Sequence, residues 1–444
     1  MRDMTKGGIV RHLLSYTVPM ILGNLMQLTY NAADSVIIGK TLGEDALAAV
    51  STANPIMTIM ILGASGIGIG AGVIMSRFYG AGDGEKLKRE FSTTVLLSTL
   101  LSLIVFALGF AFSPAILRLI HTPENSLTMA VTYLRIIFAG FLFNFQYNIL
   151  SHAMRAIGDS ASPVRYLGIS CAVNIVLDFL LVTVLRMGVA GAALATAFSQ
   201  FLSMLLCVLC IRRRIPCLRV GKGGWKMDRA LLSETVSSGA LTALQQAAQP
   251  VGKVLIQSVI NAQGTAAIGA FNAVCRVDDF ACIPSQSMGS GIMTCTAQNR
   301  GAGDRARVKE SFKKGLLLAL CWYPIICGFS LLLRRPLMRL LTPEGSTEMI
   351  EMGIAYLLVK SWIFVMPCIN NAIQGFFRGL GRMSIVLTAT CIQISVRAFC
   401  VWLWVPNIGI PGEAWACLTG WLLQLLFEST VMLILHKKNK LLPG

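Results

Sequence analysis

Twelve apolar runs of membrane-spanning length constrain this chain more than any other feature. They fall at about 14–38, 46–76, 91–112, 127–152, 163–185 and 189–211, then at about 230–260, 265–297, 312–333, 349–374, 383–405 and 413–435. An α-helix rises about 1.5 Å per residue, so roughly 20 apolar residues cross the hydrocarbon core of a bilayer. Only 13% of the 444 residues are charged, against roughly 25% in a soluble domain. So little charge cannot cover a globular surface, which excludes most soluble enzymes. The expected fold is all-α and integral to the membrane, with twelve transmembrane helices. The net charge of +17 would suggest nucleic-acid binding on a soluble protein. Here its distribution explains it without a nucleic-acid partner.

Lys and Arg are concentrated on one side of the twelve spans. The even loops, the two termini and the central linker hold 27 of them, and the odd loops hold 6: Lys40, Arg118, Arg186, Arg334, Arg335 and Arg339. Loops that stay in the cytoplasm carry this excess, so both termini and the linker are expected there. The basic segment before the first span lacks a small-residue cleavage signal and is read as leading into a retained helix. Most of the 13 Cys lie inside apolar runs without metal-binding spacing, and the four His are far apart. Neither a disulfide framework nor a bound metal cofactor is expected from them.

The second half repeats the first at an offset of about 221 residues. Gly80-Ala81-Gly82-Asp83 recurs as Gly301-Ala302-Gly303-Asp304, and Thr122-Pro123-Glu124 as Thr342-Pro343-Glu344. Arg155-Ala156-Ile157-Gly158 recurs as Arg378-Gly379-Leu380-Gly381, and Val189-Ala190-Gly191 as Ile410-Pro411-Gly412. Six spans per half is an even number, so the two repeats enter the membrane from the same side. Parallel repeats of this kind suit a transporter that rocks two bundles about a midplane site. The expected division is an N-lobe at 1–211, a basic linker at 212–229 and a C-lobe at 230–444.

Polar residues inside the spans mark candidate sites. Asp34 lies late in the first span and Asp178 in the fifth; an ionised Asp at mid-membrane costs roughly 2.5–3.5 kcal/mol on insertion scales. Asn174 and Asp178 are four apart and share one helix face. Carboxylate and amide oxygens are hard ligands suited to a small cation, and a carboxylate also takes a proton. A buried interhelical hydrogen bond without transport is the alternative reading. Pro19 interrupts the first span, and either a static kink or a moving hinge fits it. Gln27, Asn148 and Thr196 add polar groups in the first half.

The second half carries no Asp at the matching positions, which are Leu255 and about Val401. Its seventh span instead shows Gln245, Gln249, Lys253 and Gln257 at spacing four, one polar stripe. Asn371 polarises the tenth span and Arg397 the eleventh. Arg276 next to Asp278 and Asp279 suggests local neutralisation by an ion pair. Gln27, Asn148, Gln245, Gln249, Lys253, Asn371 and Arg397 are the candidates to line a substrate cavity.

These motifs together resemble the multidrug and toxic compound extrusion (MATE) family, over about residues 10–435. The resemblance rests on Asp34-Ser35-Val36-Ile37-Ile38-Gly39 with Leu42-Gly43 and Ala46-Leu47-Ala48-Ala49, on the twin Gly-Ala-Gly-Asp segments, and on Arg276-Val277-Asp278-Asp279-Phe280 with Pro284. Asn174-Ile175-Val176-Leu177-Asp178 is similar to the DinF-like branch. The resemblance implies an antiporter that exports amphipathic, often cationic compounds and is coupled to H⁺ or Na⁺. It implies a coupling set of Asp34, Asp178, Asn174, Thr196 and Tyr133, with Na⁺ at Asp34, Asn174, Asp178 and Thr196 if sodium is the ion. It also implies that Pro19 is a bending point. NorM-like members carry a Glu in the seventh span where this chain has Gln249, which argues against a C-lobe Na⁺ site of that kind. Small organic compounds and membrane lipid are the expected partners. A monomer in a bacterial or archaeal plasma membrane is the expected form.

Other functions fit less well. A lipid-linked sugar flippase of the same wider superfamily would use a more basic cavity, to which Lys253, Arg276, Lys360 and Arg397 would contribute. An intramembrane aspartyl protease would need Gly80–Asp83 inside a helix and a Tyr-Asp dipeptide, and neither is found. The loop at 80–89 lacks the major-facilitator signature, and no P-loop supports ATP-driven export. No enzymatic activity is expected.

Overall fold

The computed structural model describes residues 3–221, 223–342, 345–439 and 441; the side chains of 30–38, 40, 42, 44, 45, 47 and 48 lie outside that description. The described chain is helical throughout, without a strand. The first repeat folds as α1 (Ile9–Leu42), α2 (Glu44–Gly80), α3 (Gly84–Leu119), α4 (Glu124–Ala156), α5 (Ala161–Asp178) and α6 (Gly188–Arg214). The second folds as α7 (Arg229–Asn261), α8 (Thr265–Gly301), α9 (Arg305–Leu332), α10 (Arg334–Leu341), α11 (Thr347–Ile363), α12 (Val365–Gly379), α13 (Met383–Ile408) and α14 (Pro411–Lys437).

Each expected span coincides with a helix, and most helices extend several residues beyond the apolar run. Two spans are broken in the second half only. The counterpart of α3 is interrupted at Leu333 to give α9 and α10. The counterpart of α4 bends by 43° between α11 and α12. Pro367 explains that bend, because it cannot donate to the carbonyl one turn earlier, at Ile363. Counting α9–α10 and α11–α12 once each, the fold is the expected twelve-helix arrangement in two bundles. Among the described residues, eight single helices and the bent pair are long and apolar enough to cross a membrane. α1, α7 and α8 carry the polar residues noted above and are 34, 33 and 37 residues long.

The repeat is visible in the turns. Gly82 and Gly303 sit at φ +72° and +76°, a left-handed conformation in which a Cβ is strained. Asp83 and Asp304 then cap α3 and α9, accepting from the Lys86 and Arg307 amides at 2.9 Å each. The Lys86 amide holds the Asp83 carboxyl below its usual range. Gly43 pairs in the same way with Gly264, Gly158 with Gly381, and Gly188 with Gly409, all at positive φ. Glu344 and Pro343 lie outside the described residues, so the second copy of Thr-Pro-Glu is described only at Thr342.

The chain forms two compact units, whose boundaries fall inside helices. Unit 1 contains Pro19–Ala243, and unit 2 contains Met4–Val18 and Leu244–Gly444. The start of α1 therefore packs in unit 2, where the Met4 amide donates to Gln298 Oε1 (3.0 Å) and Tyr16 OH meets Thr294 Oγ1 (3.0 Å). The start of α7 packs in unit 1, where Thr235 Oγ1 donates to Glu90 Oε1 (2.7 Å) and Arg77 pairs with Glu234 (2.9 Å). The linker before α7 is built into unit 1. Ile215 and Leu218 are buried, and Ser92 and Thr93 accept from the Lys226 and Asp228 amides at 3.0 Å each.

Helix packing inside the units follows small residues. The core of unit 1 gathers Met75, Leu87, Phe91, Leu150, Met154 and Ile211. That of unit 2 gathers Ile260, Phe271, Val274, Tyr356, Leu357 and Val401. Gly375 and Gly379 of α12 form a small-xxx-small stripe against α8. A Cβ at Gly375 would lie 2.2 Å from the Gly289 carbonyl oxygen, and one at Gly379 would lie 2.7 Å from that of Met293.

Candidate functional site

In unit 1, α5 brings the expected coupling residues into the interior. Asn174 and Asp178 are 0% and 1% exposed. Both amide atoms of Asn174 meet no hydrogen-bond partner among the described residues. Asp178 closes the α-helical part of α5, and the next six residues, Phe179–Val184, form a π-helical segment. Such segments free carbonyls from the regular ladder and recur at functional positions. The turn is packed against the start of α6, where a Cβ at Gly191 would lie 3.1 Å from the Leu181 carbonyl. Tyr133 of α4 is buried, with its hydroxyl 3.9 Å from Met57 Sδ of α2. Thr196 of α6 is half-buried. α4 and α6 approach closely beside it, since a Cβ at Gly140 would lie 2.8 Å from that of Ala197. Asp34 belongs to α1, but its side chain lies outside the described residues. Pro19 is inside a continuous α1 and is half-buried.

Unit 2 holds a buried charge cluster that hydropathy alone conceals. Lys360 Nζ of α11 lies 3.1 Å from Asp278 Oδ2 of α8 and 3.7 Å from Glu413 Oε2 of α14. Arg397 Nε of α13 donates to Glu413 Oε1 at 2.8 Å, and Arg397 Nη2 meets the same oxygen. Tyr356 OH donates to Glu413 Oε2, and Lys360 Nζ donates to Cys417 Sγ at 3.3 Å. Glu413 is 0% exposed and Lys360 4%. Two carboxylates face two cations, so the cluster is charge-balanced, the condition for keeping ions out of water.

The pairing of the α8 acids differs from the expectation. Asp278 pairs with Lys360, and Asp279 pairs with Lys253 at 3.1 Å on an exposed face. Arg276 forms no ion pair with either among the described residues. Arg276 and Asp279 stand three apart and could meet on one helix face, but Asp279 is taken by Lys253 of α7 and Asp278 by Lys360 of α11.

The second half also has fully buried acids, at positions other than those matching Asp34 and Asp178. Glu413 is one; Glu428 of α14 is the other, with Oε1 accepting from Gln424 Nε2 at 2.9 Å. Glu413 sits in the first turn of α14, just past Ile410-Pro411-Gly412, at the edge of the twelfth apolar run. Glu428 reads as a single tolerated charge in a long apolar run. The signal for both is the i+4 companion: Glu413 precedes Cys417, and Gln424 precedes Glu428. In unit 1, Glu90 is likewise buried, its Oε1 accepting from Thr94 and Thr235.

The seven cavity candidates fall into different surroundings. Gln27, Gln249 and Lys253 are exposed. Asn148 is half-buried and donates to Asn144 O at 2.9 Å. Asn371 donates to Ser285 Oγ at 3.2 Å. Gln245 is buried between Thr390 (3.2 Å) and Arg378 Nη2 (2.9 Å), and Arg397 belongs to the charge cluster. Gln245 and Arg397 thus sit in two separate internal networks.

A twelve-helix chain in two parallel-repeat bundles, with carboxylates buried in its spans, defines the class of membrane transporter. The MatE family model matches it twice, at residues 19–180 and 242–403, once in each repeat. The chain belongs to this multidrug and toxic compound extrusion family. It is 30% identical to the probable multidrug resistance protein YpnP of Bacillus subtilis, over 92% of each chain. It is 28% identical to a FAD transporter of Shewanella oneidensis, over 81% of this chain and 78% of that one. Among solved structures, a MATE protein in complex with MaL6 matches with a TM-score of 0.91 at 20% identity, over 98% of this chain and 99% of that one.

Proposed function

We propose that this chain is an antiporter that exports amphipathic, often cationic compounds in exchange for H⁺ or Na⁺. The observation that carries the reading is the burial of Asn174 and Asp178 on one face of α5, at the start of the π-helical segment. A carboxylate kept away from water needs a proton or a cation. Asp178, with Asp34, takes the coupling ion; Asn174, Thr196 and Tyr133 add oxygen donors. Neutralising the carboxylates changes their hydrogen bonding and repacks α1 near Pro19. Cargo and ion then compete for the same conformational equilibrium, which is the thermodynamic content of antiport. The 27-to-6 split of basic residues supports cytoplasmic termini and a cytoplasmic linker. A monomer in a bacterial inner membrane is sufficient for this cycle.

The name of YpnP as a probable multidrug resistance protein supports drug export. The flippase reading loses three of its four cations to ion pairs, since Lys253, Lys360 and Arg397 all face carboxylates. The similarity to a FAD transporter keeps an anionic dinucleotide in the test set. The test is efflux from proteoliposomes under an imposed H⁺ or Na⁺ gradient, scanned across cationic dyes and FAD. Gradient-driven dye export that stops in Asp178→Asn supports the reading; a response to neither gradient overturns it.

A further inference from the structure

The turn glycines fix how the two repeats correspond. Gly43 and Gly82 match Gly264 and Gly303, an offset of 221 through α2 and α8. Gly158 matches Gly381, an offset of 223 at the end of α4 and the start of α5. Gly188 matches Gly409, again 221, at the start of α6 and α14. By these offsets Tyr133 corresponds to Tyr356, Asn174 to Arg397, Thr196 to Cys417 and Met57 to Asp278. All four unit 2 counterparts belong to the charge cluster: Tyr356, Arg397 and Lys360 meet Glu413, while Lys360 also meets Asp278 and Cys417. The cluster of unit 2 is therefore the repeat-mate of the polar set on α4, α5 and α6 of unit 1.

The two sets keep the tyrosine and differ in where their charges sit. Unit 1 presents an amide and a carboxylate on α5. Unit 2 has a guanidinium at the amide's position and Val401 at about the carboxylate's. Its carboxylates come instead from α8 and α14, and an ammonium lies 3.1 Å and 3.7 Å from them. The 3.1 Å contact is direct and the 3.7 Å one is a longer ion pair, so the ammonium stands between two anionic groups that could otherwise hold a free monovalent cation.

We infer that unit 2 contains a monovalent-cation site filled by the chain's own Lys360 ammonium, with Asp278 and Glu413 as its anionic oxygens and Tyr356 holding Glu413 in place. The site is closed to solution ions because its cation is covalently tethered. Lys360 is thus the specificity-determining residue that restricts ion exchange to unit 1. The comparison borrows the reading of unit 1 as the coupling site, but the site in unit 2 is tested without transport.

The experiment compares melting of purified protein in neutral detergent at pH 8, in 150 mM sodium chloride and in 150 mM choline chloride. Wild type defines the sodium increment that belongs to the rest of the molecule. Lys360→Ala leaves two carboxylates facing one guanidinium, so it melts lower in choline. In sodium it gains an additional increment of about 3 °C or more once sodium exceeds its Kd tenfold. Lys360→Ala/Asp278→Asn restores charge balance, folds, and loses the additional increment. Lys360→Arg keeps a tethered cation and also lacks it. If Lys360→Ala is too unstable to melt in choline, recovery of folded protein in sodium alone gives the same result. A sodium increment in Lys360→Ala equal to that of wild type overturns the inference, as does an increment that survives in the double variant. Failure of the unit 1 reading would appear separately, as unimpaired gradient-driven efflux by Asp178→Asn.

Discussion

Glu413 should be the most stability-critical acid of unit 2, and Glu413→Gln tests this with almost no change of volume. Its carboxylate is fully buried and has three partners: Arg397, Lys360 and Tyr356. At an effective dielectric of 20, the 3.7 Å contact with Lys360 corresponds to about 4.5 kcal/mol of attraction before desolvation is counted. Removing one member of a buried ion network leaves the others uncompensated and costs roughly 3–5 kcal/mol. In Glu413→Gln only Asp278 remains to face two cations. For a unit of about 200 residues, each kcal/mol moves the melting midpoint by roughly 2–4 °C, so the expected fall is about 10 °C. Glu413→Gln/Arg397→Gln leaves Asp278 and Lys360 as a balanced pair and should recover at least half of that loss. Thermal melting of the four proteins in one detergent gives the double-mutant cycle. A midpoint for Glu413→Gln within 2 °C of wild type would refute the reasoning, as would a double variant that shows the sum of both single losses.

Other variants follow from individual contacts. Asp34→Asn and Asp178→Asn should abolish coupled efflux in proteoliposomes while leaving yield and elution volume unchanged. Gly375→Ala should cost about 1–3 kcal/mol by overpacking, because its Cβ would meet the Gly289 carbonyl at 2.2 Å; Gly328→Ala, with nothing within 4 Å, should cost nothing in the same melting assay. Gly82→Ala and Gly303→Ala should each lose about 1 kcal/mol and match one another, since both residues turn at positive φ in equivalent loops. Asp83→Asn should melt below wild type at neutral pH. The carboxyl is depressed by the Lys86 amide, so its contribution is present above the unfolded value near 4. It fades as pH falls through the lower folded value, and the two melting curves should converge there.

The twelve spans were legible because each apolar run is long and because bilayer thickness sets a length scale that sequence alone reveals. The repeat was legible for a similar reason: Gly82 and Gly303 are required by backbone geometry, so the motif around them persists where side chains diverge. The break at Phe364 was hidden, since Pro367 lies among residues that still read as a continuous apolar span. The acids of unit 2 were hidden for an electrostatic reason. A single Glu in an apolar run reveals nothing about its partners, and those of Glu413 come from α11 and α13, 57 and 16 residues away in sequence. Asp178 with Asn174 announced itself because both residues share one helix face. The buried pair on α5 is therefore readable within one helix, whereas Lys360, Arg397 and Glu413 could be joined only by the fold.

The exchange of helix ends has a consequence for biosynthesis. Residues 4–18 are translated well before their partners, since they pack with α8 and α9, made almost three hundred residues later. Unit 1 in turn is incomplete until translation has passed residue 243. Unit 1 needs the start of the second half, and unit 2 needs a segment made before Pro19–Ala243 of unit 1, so a nascent chain must keep that segment waiting. Trimming residues 4–18 would therefore injure the last-made unit rather than the first-made one. A gene cut at the linker would yield two pieces that each lack part of their own core, so the ancestral duplication has become a mutual dependence that neither half can leave.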